Sequence, residues 1–178
     1  MLRFRLFVFF LALSFSLAAG LVFWLWPQAV AAPTMVTEKQ QIDSIVIEKA
    51  KRKMKLYRQG QLFKSYDIKL GFTPKGQKTR EGDGKTPEGD YLINRRNAGS
   101  KFHLSLGLNY PLPAQRANAK AKGVDPGGDI FIHGQPNWMS ELPALAHDWT
   151  DGCIALTNQG IEEIWRLTPI GTKVSIRP

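Results

Sequence analysis

From residue 44 onward, apolar and polar positions alternate in short runs rather than at helical spacing. Ser44–Glu48, SIVIE, is β-branched and predicts a strand. In KMKLYRQGQLFKSYDIKLG, Met54 and Leu56 alternate with lysines, and Tyr66, Ile68 and Leu70 alternate beyond a turn at Gln59-Gly60. Two alternating runs about a glycine turn predict a hairpin. Residues 71–90, GFTPKGQKTREGDGKTPEGD, break the pattern with five glycines and two prolines, which predicts a long loop. Its lysines and arginines are expected on a solvated face. Tyr91–Arg95 and Phe102–Leu106 predict further short strands, and residues 109–128 predict another loop. Asp129–His133, DIFIH, predicts a compact strand with His133 at its end. Glu141–His147 is expected to make one or two helical turns, within a candidate lid over Glu141–Trp149. TNQGIEEIWRLTP predicts a helix capped by Thr157 or Asn158, with Glu162 and Glu163 near its positive end and Ile161, Ile164 and Trp165 on one face. Pro169 stops it, and Thr172–Arg177 predicts a last strand. The expected fold is a mainly-β single domain with one or two short helices.

The first residues behave differently. Arg3 and Arg5 precede residues 6–26, a run of 21 positions without a charge. This has the make-up of an export signal and is also long enough to span a bilayer. An A-x-A site stands at Ala29-Val30-Ala31. The expected organisation is a signal peptide or membrane anchor over 1–32, a polar linker over 33–42 and a globular domain over 43–178. The domain is then expected across the membrane, in the periplasm or on the outer face of the cytoplasmic membrane.

Charge sharpens that picture. The chain carries 24 Lys and Arg against 15 Asp and Glu, a net +9, or +7 without the two leader arginines. A basic exported protein is expected to meet an anionic envelope surface rather than nucleic acid.

Cys153, in WTDGCIAL, is the only cysteine, so no internal disulfide can form. It is a buried hydrophobe, a partner for another chain or a reactive thiol. A free thiol ionises near ~8.5 and needs a base or a positive charge to react at neutral pH. His103, His133 and His147 are the candidate bases. His133 ends an apolar strand before Gly134, and Cys153 lies twenty residues on behind Gly152, which makes a plausible dyad. Papain-like enzymes place Cys before His, and sortases place an essential arginine downstream, so neither order fits. His147-Asp148 with Asp129 and His133 matches no common metal spacing, so no metal and no cofactor are expected.

His133-Gly134, a spacer and Thr150-Asp151-Gly152-Cys153 resemble the H-G…[S/T]-x-G-C signature of the L,D-transpeptidase catalytic domain (YkuD-type). The likeness extends over roughly residues 43–177, through SIVIEKAKRKMKLYRQGQ, LGFTPKGQKTREGDGKTPEGDYLI, FHLSLGLNYP and GGDIFIHG. Two positions depart from it: Asp151 replaces a histidine, and Ala155 replaces an Arg or Asn. The resemblance implies a β-sandwich or barrel-like fold and acyl transfer on peptidoglycan stem peptides through a Cys153 thioester. His133 would be base and then acid, with Gly152 and Gly134 shaping the turns and the N–H groups of Gly152 and Cys153 meeting the oxyanion. Thr150, Asp151, His103 and Tyr110 are candidate supporting or substrate-contacting residues. The acceptor would be a second stem, a lipoprotein lysine or a free D-amino acid. With water as acceptor the same site would be an L,D-carboxypeptidase or an amide hydrolase that releases a wall-linked protein. A non-catalytic wall-binding module would not need Cys153.

Overall fold

The computed structural model describes residues 31–139 and 142–178. The expected export segment lies outside the described residues. No helix among those described is long and apolar enough to cross a membrane.

Eight strands and two α-helices follow one another as β1 (Ser44–Glu48), β2 (Lys53–Arg58), β3 (Gln61–Asp67), β4 (Gly89–Ser100), β5 (His103–Leu108), α1 (Pro113–Ala121), β6 (Phe131–His133), β7 (Ile154–Ala155), α2 (Asn158–Leu167) and β8 (Lys173–Arg177). The strands form one mixed sheet in the order β3-β2-β1-β8-β4-β5-β6-β7. β4 is the long strand that serves both halves, pairing β8 through its first residues and β5 beyond them. Just past β3, Lys69 bridges Ala155 of β7, so the two ends of the sheet meet. That closure is the barrel-like feature expected from the resemblance.

Inside sits one apolar cluster drawn from both halves, including Ile45, Met54, Leu106, Ile132, Ile154 and Ile164. The period-two patterns of β1 and β2 put Ile45, Ile47, Met54 and Leu56 fully inside. β3 differs: it is almost wholly exposed, and burial resumes only at Ile68 and Leu70. α2 covers the core with Ile161, Ile164 and Trp165, and Thr157 caps it by accepting from Gly160 N–H. Residues 33–42 lie along this helix. Trp165 Nε1 donates to Pro33 O at 3.0 Å, Val36 N–H to Arg166 O at 3.0 Å, and Ile42 is buried.

Two helix expectations are corrected. No helix forms among the described residues of 141–147; Pro143 offers no N–H and restricts Leu142, so only a short 3-10 turn at Asn137–Met139 precedes an irregular stretch. The second helix is α1, in the segment expected to be a loop. Pro113 occupies its first turn, the Gln115 side chain accepts from Leu112 N–H at 2.8 Å, and the alanines that follow favour helix.

The glycine-rich loop is also corrected, because its basic residues are not all solvated. Lys78 is 5 % exposed and donates to Asp83 at 2.9 Å. Asp83 also accepts from the backbone N–H groups of Thr79, Arg80 and Lys85. Burial alone would raise the Asp83 carboxyl, but these donors outweigh it and hold the group below the usual carboxylate range. From the sheet side, buried Lys49 donates to Gly76 O at 2.7 Å, Thr86 O at 2.9 Å and Glu88 at 2.8 Å. Removing that ammonium would strand a part-buried carboxylate and two carbonyls. Lys49→Ala should therefore cost on the order of 3 kcal/mol in urea unfolding, while exposed Lys51→Ala should change stability by well under 1 kcal/mol.

Candidate active site

His133 and Cys153 meet through backbone pairing. β6 and β7 run parallel with Ile132 opposite Ile154 and His133 opposite Ala155. Ile132 and Ile154 are 0 % exposed in the core, so Phe131, His133 and Cys153 all project from the opposite face. One register step back from Ile154, Cys153 lies beside Phe131, whose N–H reaches Sγ at 3.4 Å. Its thiol in turn donates to Asp129 O at 3.4 Å. His133 is the diagonal neighbour of Cys153 across the two strands.

The imidazole is held in one orientation. His133 Nδ1 lies 2.7 Å from Gly134 O, and a carbonyl can only accept, so Nδ1 carries the proton and Nε2 keeps its lone pair. Phe102 lies 4.6 Å away and Trp149 5.5 Å away, centroid to centroid, enclosing the ring. The following backbone is fixed as well: Gly134 N–H donates to Phe102 O at 3.0 Å, and Leu156 N–H to His133 O at 2.9 Å. A Cβ at Gly134 would stand 2.6 Å from Asn158 Oδ1, so a side chain there would displace the amide that accepts from Gln135 N–H.

The nucleophile turn is closed by Thr150. Its buried hydroxyl donates to Cys153 O at 2.7 Å and accepts from Gly152 N–H at 3.2 Å. Gly152 has φ +132°, and a Cβ there would stand 2.6 Å from Lys85 O of the glycine-rich loop. That loop therefore packs directly against the turn. Because Gly152 N–H is taken, Cys153 N–H is the donor left without a partner among the described residues.

Other candidate residues lie elsewhere. Asp151 is exposed and makes no hydrogen bond among the described residues. His103 turns away to Glu162 of α2, with Nε2 2.7 Å from its carboxylate. Tyr110 is buried and donates to Pro126 O at 2.8 Å, packed edge-on to Tyr91. Asp148 is engaged by Arg52 at 2.8 Å and by Leu70 N–H at 2.9 Å. No group of three or more His, Cys, Asp or Glu side chains among the described residues is arranged to hold a metal ion. A cavity of about 780 Å³ lined by Lys49, Arg52, Lys69, Lys75 and His147 lies apart from the thiol, with neither Cys153 nor His133 in its wall. Three residues around the pair escaped the sequence reading: Phe131 beside the thiol, Phe102 against the imidazole, and Arg95, whose guanidinium lies 4.5 Å over the Phe131 ring. Only the strand register places them there.

Enclosure drives both reactive groups toward neutrality. Burial lowers His133 to about 4, against which the Gly134 carbonyl pulls upward. Burial raises the Cys153 thiol to about 11; the Phe131 N–H opposes this, while the Asp151 and Asp129 carboxylates add to it. Taken singly, each group therefore favours its neutral form, thiol on one side and imidazole on the other.

Two outcomes follow from these shifts. Alkylation of Cys153 by iodoacetamide should keep accelerating with pH beyond 9, and Asp151→Asn should speed it severalfold near pH 8 by removing a negative neighbour. The His133 contribution to folding stability should be flat above about pH 6.5, where the imidazole is neutral folded or unfolded, whereas the raised Cys153 thiol lowers stability as the pH climbs past about 9. Between there and about pH 4 only the unfolded chain takes up the proton, so stability falls by on the order of 3 kcal/mol and then levels off. Urea midpoints measured across that range should lose most of the slope in His133→Gln.

Known proteins share the sequence pattern and the fold of this chain. Residues 42–176 match the family described as the L,D-transpeptidase catalytic domain, YkuD. YafK of Escherichia coli K12, named an L,D-transpeptidase by provisional assignment, is 33 % identical over 128 residues, 68 % of this chain and 45 % of its own. The crystal structure of Pgp2, a helical cell shape determining protein of Campylobacter jejuni, superposes with a TM-score of 0.60 at 25 % identity over 87 % of this chain and 54 % of that one. The L,D-transpeptidase of Xylanimonas cellulosilytica shares the fold, with a TM-score of 0.51 at 16 % identity over 83 % of this chain and 65 % of its own. The chain spans about half the length of YafK and of Pgp2. With the family match running from Ile42 to Ile176, through both His133 and Cys153, the chain belongs to the L,D-transpeptidase catalytic domain family.

Proposed function

We propose that this domain is a cysteine-dependent acyl transferase on peptidoglycan stem peptides, with Cys153 as nucleophile and His133 as base and acid. The observation that carries this reading is the shared face of β6 and β7, which sets the only thiol diagonal to an imidazole with a free Nε2. In the first step His133 Nε2 takes the Sγ proton and the sulfur attacks the carbonyl that precedes the terminal D-residue. Because each group taken singly favours its neutral form, the proton moves as attack occurs rather than beforehand. The oxyanion is met by Cys153 N–H, the open donor of the turn. Collapse breaks the C–N bond, and the imidazolium returns its proton to the departing amine. An acceptor amine then attacks the thioester, gives its proton to His133 and releases the thiol.

The acceptor is a second stem, a lipoprotein lysine or a free D-amino acid. A net charge of +7 without the two leader arginines suits a carboxylate-bearing polymer outside the cytoplasmic membrane, where residues 6–26 would deliver the domain. The likeness to Pgp2 supports a role in cell shape. Gly134 and Gly152 serve as the close-packed turns of this mechanism, and Thr150 as the clamp that aims Cys153.

Mass spectrometry of purified tetrapeptide-bearing wall fragments after incubation with the protein tests this directly. New amide cross-links or exchanged terminal D-residues are expected, and Cys153→Ala and His133→Ala should each lower product by at least 100-fold. Loss of the terminal residue without a new amide would make water the acceptor on the same site. Product undiminished in Cys153→Ala would overturn the mechanism.

A further inference from the structure

Cross-strand pairing lays out a second row on the face that carries the thiol. Arg95 of β4 is opposite Gly107 of β5, and Gly107 is opposite Phe131 of β6. Phe131 lies beside Cys153 and donates its N–H to the sulfur. The row therefore reads Arg95, Gly107, Phe131, Cys153. Behind it runs a second row of Asn97, Ser105, His133 and Ala155.

Gly107 decides what happens in the first row. A Cβ there would stand 2.5 Å from Arg95 Cγ and 2.6 Å from its Nε, so the missing side chain is the slot in which Arg95 lies. Stretched across that slot, the guanidinium comes to rest 4.5 Å over the ring of Phe131, the residue beside the thiol. Its partner is Asp129, at 2.5 Å from Nη2, and the Asp129 carbonyl is the group that accepts from the thiol. This ion pair is exposed, 45 % on Arg95 and 79 % on Asp129, so it is weakly held and easily exchanged. Among the described residues, Nε and Nη1 have no partner. A half-solvated planar fork stacked on an aromatic ring is suited to bidentate capture of a carboxylate.

We propose that Arg95 is the specificity residue that binds the α-carboxylate of the terminal D-residue, both as it leaves and when a free D-amino acid enters. This rests on the acyl-transfer reading above. In such a donor the carboxylate carbon lies only three bonds beyond the attacked carbonyl carbon, about 3.5 Å away. One strand spacing, about 4.8 Å, separates the Cys153 backbone from that of Phe131, beneath the guanidinium. The scales match, so a carbonyl poised at Sγ puts the terminal carboxylate at Arg95. A peptide extended past that residue would have an amide there in place of the charge. The site is accordingly selective for the last peptide bond of a stem.

The test compares a tetrapeptide stem with a free terminal carboxylate against the same stem with a terminal carboxamide. Wild type should favour the free acid at least tenfold in kcat/KM, mainly through KM. Arg95→Ala should lose that preference by weakening the free acid alone, and Arg95→Lys should recover only part of it. Asp129→Asn, which suits the positive φ of 53° there, removes the competing carboxylate and should keep or raise the preference. If the Arg95–Asp129 pair were merely structural, both variants would lower both substrates alike, and that result would overturn the proposal. Binding of the two stems to Cys153→Ala and to Cys153→Ala/Arg95→Ala repeats the comparison without turnover. A carboxylate preference there that vanishes with Arg95 supports the proposal even if no product forms and the acyl-transfer reading fails; equal affinity for the two stems overturns it.

Discussion

The site depends on the register between two very short strands. β6 has three residues and β7 two, and pairs of that length do not hold themselves together in water. A slip of one residue in β7 would turn Cys153 into the core and Ile154 into the cleft. The register is held from outside. Lys69 and Ala155 exchange two backbone hydrogen bonds at 2.9 and 2.8 Å, and the Thr150 hydroxyl ties the turn back to Cys153 O. Closing the sheet and aiming the nucleophile are one event, because the same Lys69–Ala155 contact performs both.

From that closure follows the electrostatic character of the cleft. Packing Phe102 and Trp149 on His133 excludes water from the ring, and the thiol is recessed among backbone groups. Each reactive group is neutral alone, which leaves proton exchange between them as the route to a nucleophile. The glycine-rich loop contributes mostly backbone bulk to this arrangement, with the Lys78 charge a minor pull against the rise of the thiol. Its Lys78 and the neighbouring Lys49 are consumed in buried pairs, and Gly71 and Lys85 crowd against Gly152.

Much of this was legible in the alternating runs. β1, β2, α2 and β8 stand where SIVIE, KMKLYR, NQGIEEIWRL and KVSIR place them, because each buries one periodic face in the core. Positions governed by contacts remote in sequence were not. α1 looked like a loop because its helix is favoured by a proline at the start and small residues rather than by an apolar stripe. Lys78 of the glycine-rich loop reads as solvated because its partner, Asp83, sits in a segment without periodicity.

The sequence by itself determined which groups are available for chemistry: one thiol, a histidine closing an apolar strand, and glycines at both turns. A single cysteine and a strand-end histidine are local facts, readable wherever the chain goes. The tertiary structure alone decided which imidazole nitrogen is free and that Gly152 N–H is spent on Thr150. It also decided that His103 and Tyr110 turn to other partners, and that Arg95, fifty-eight positions before Cys153, shares a row with it. These are matters of register across four strands, and register is settled by which faces the whole sheet buries together.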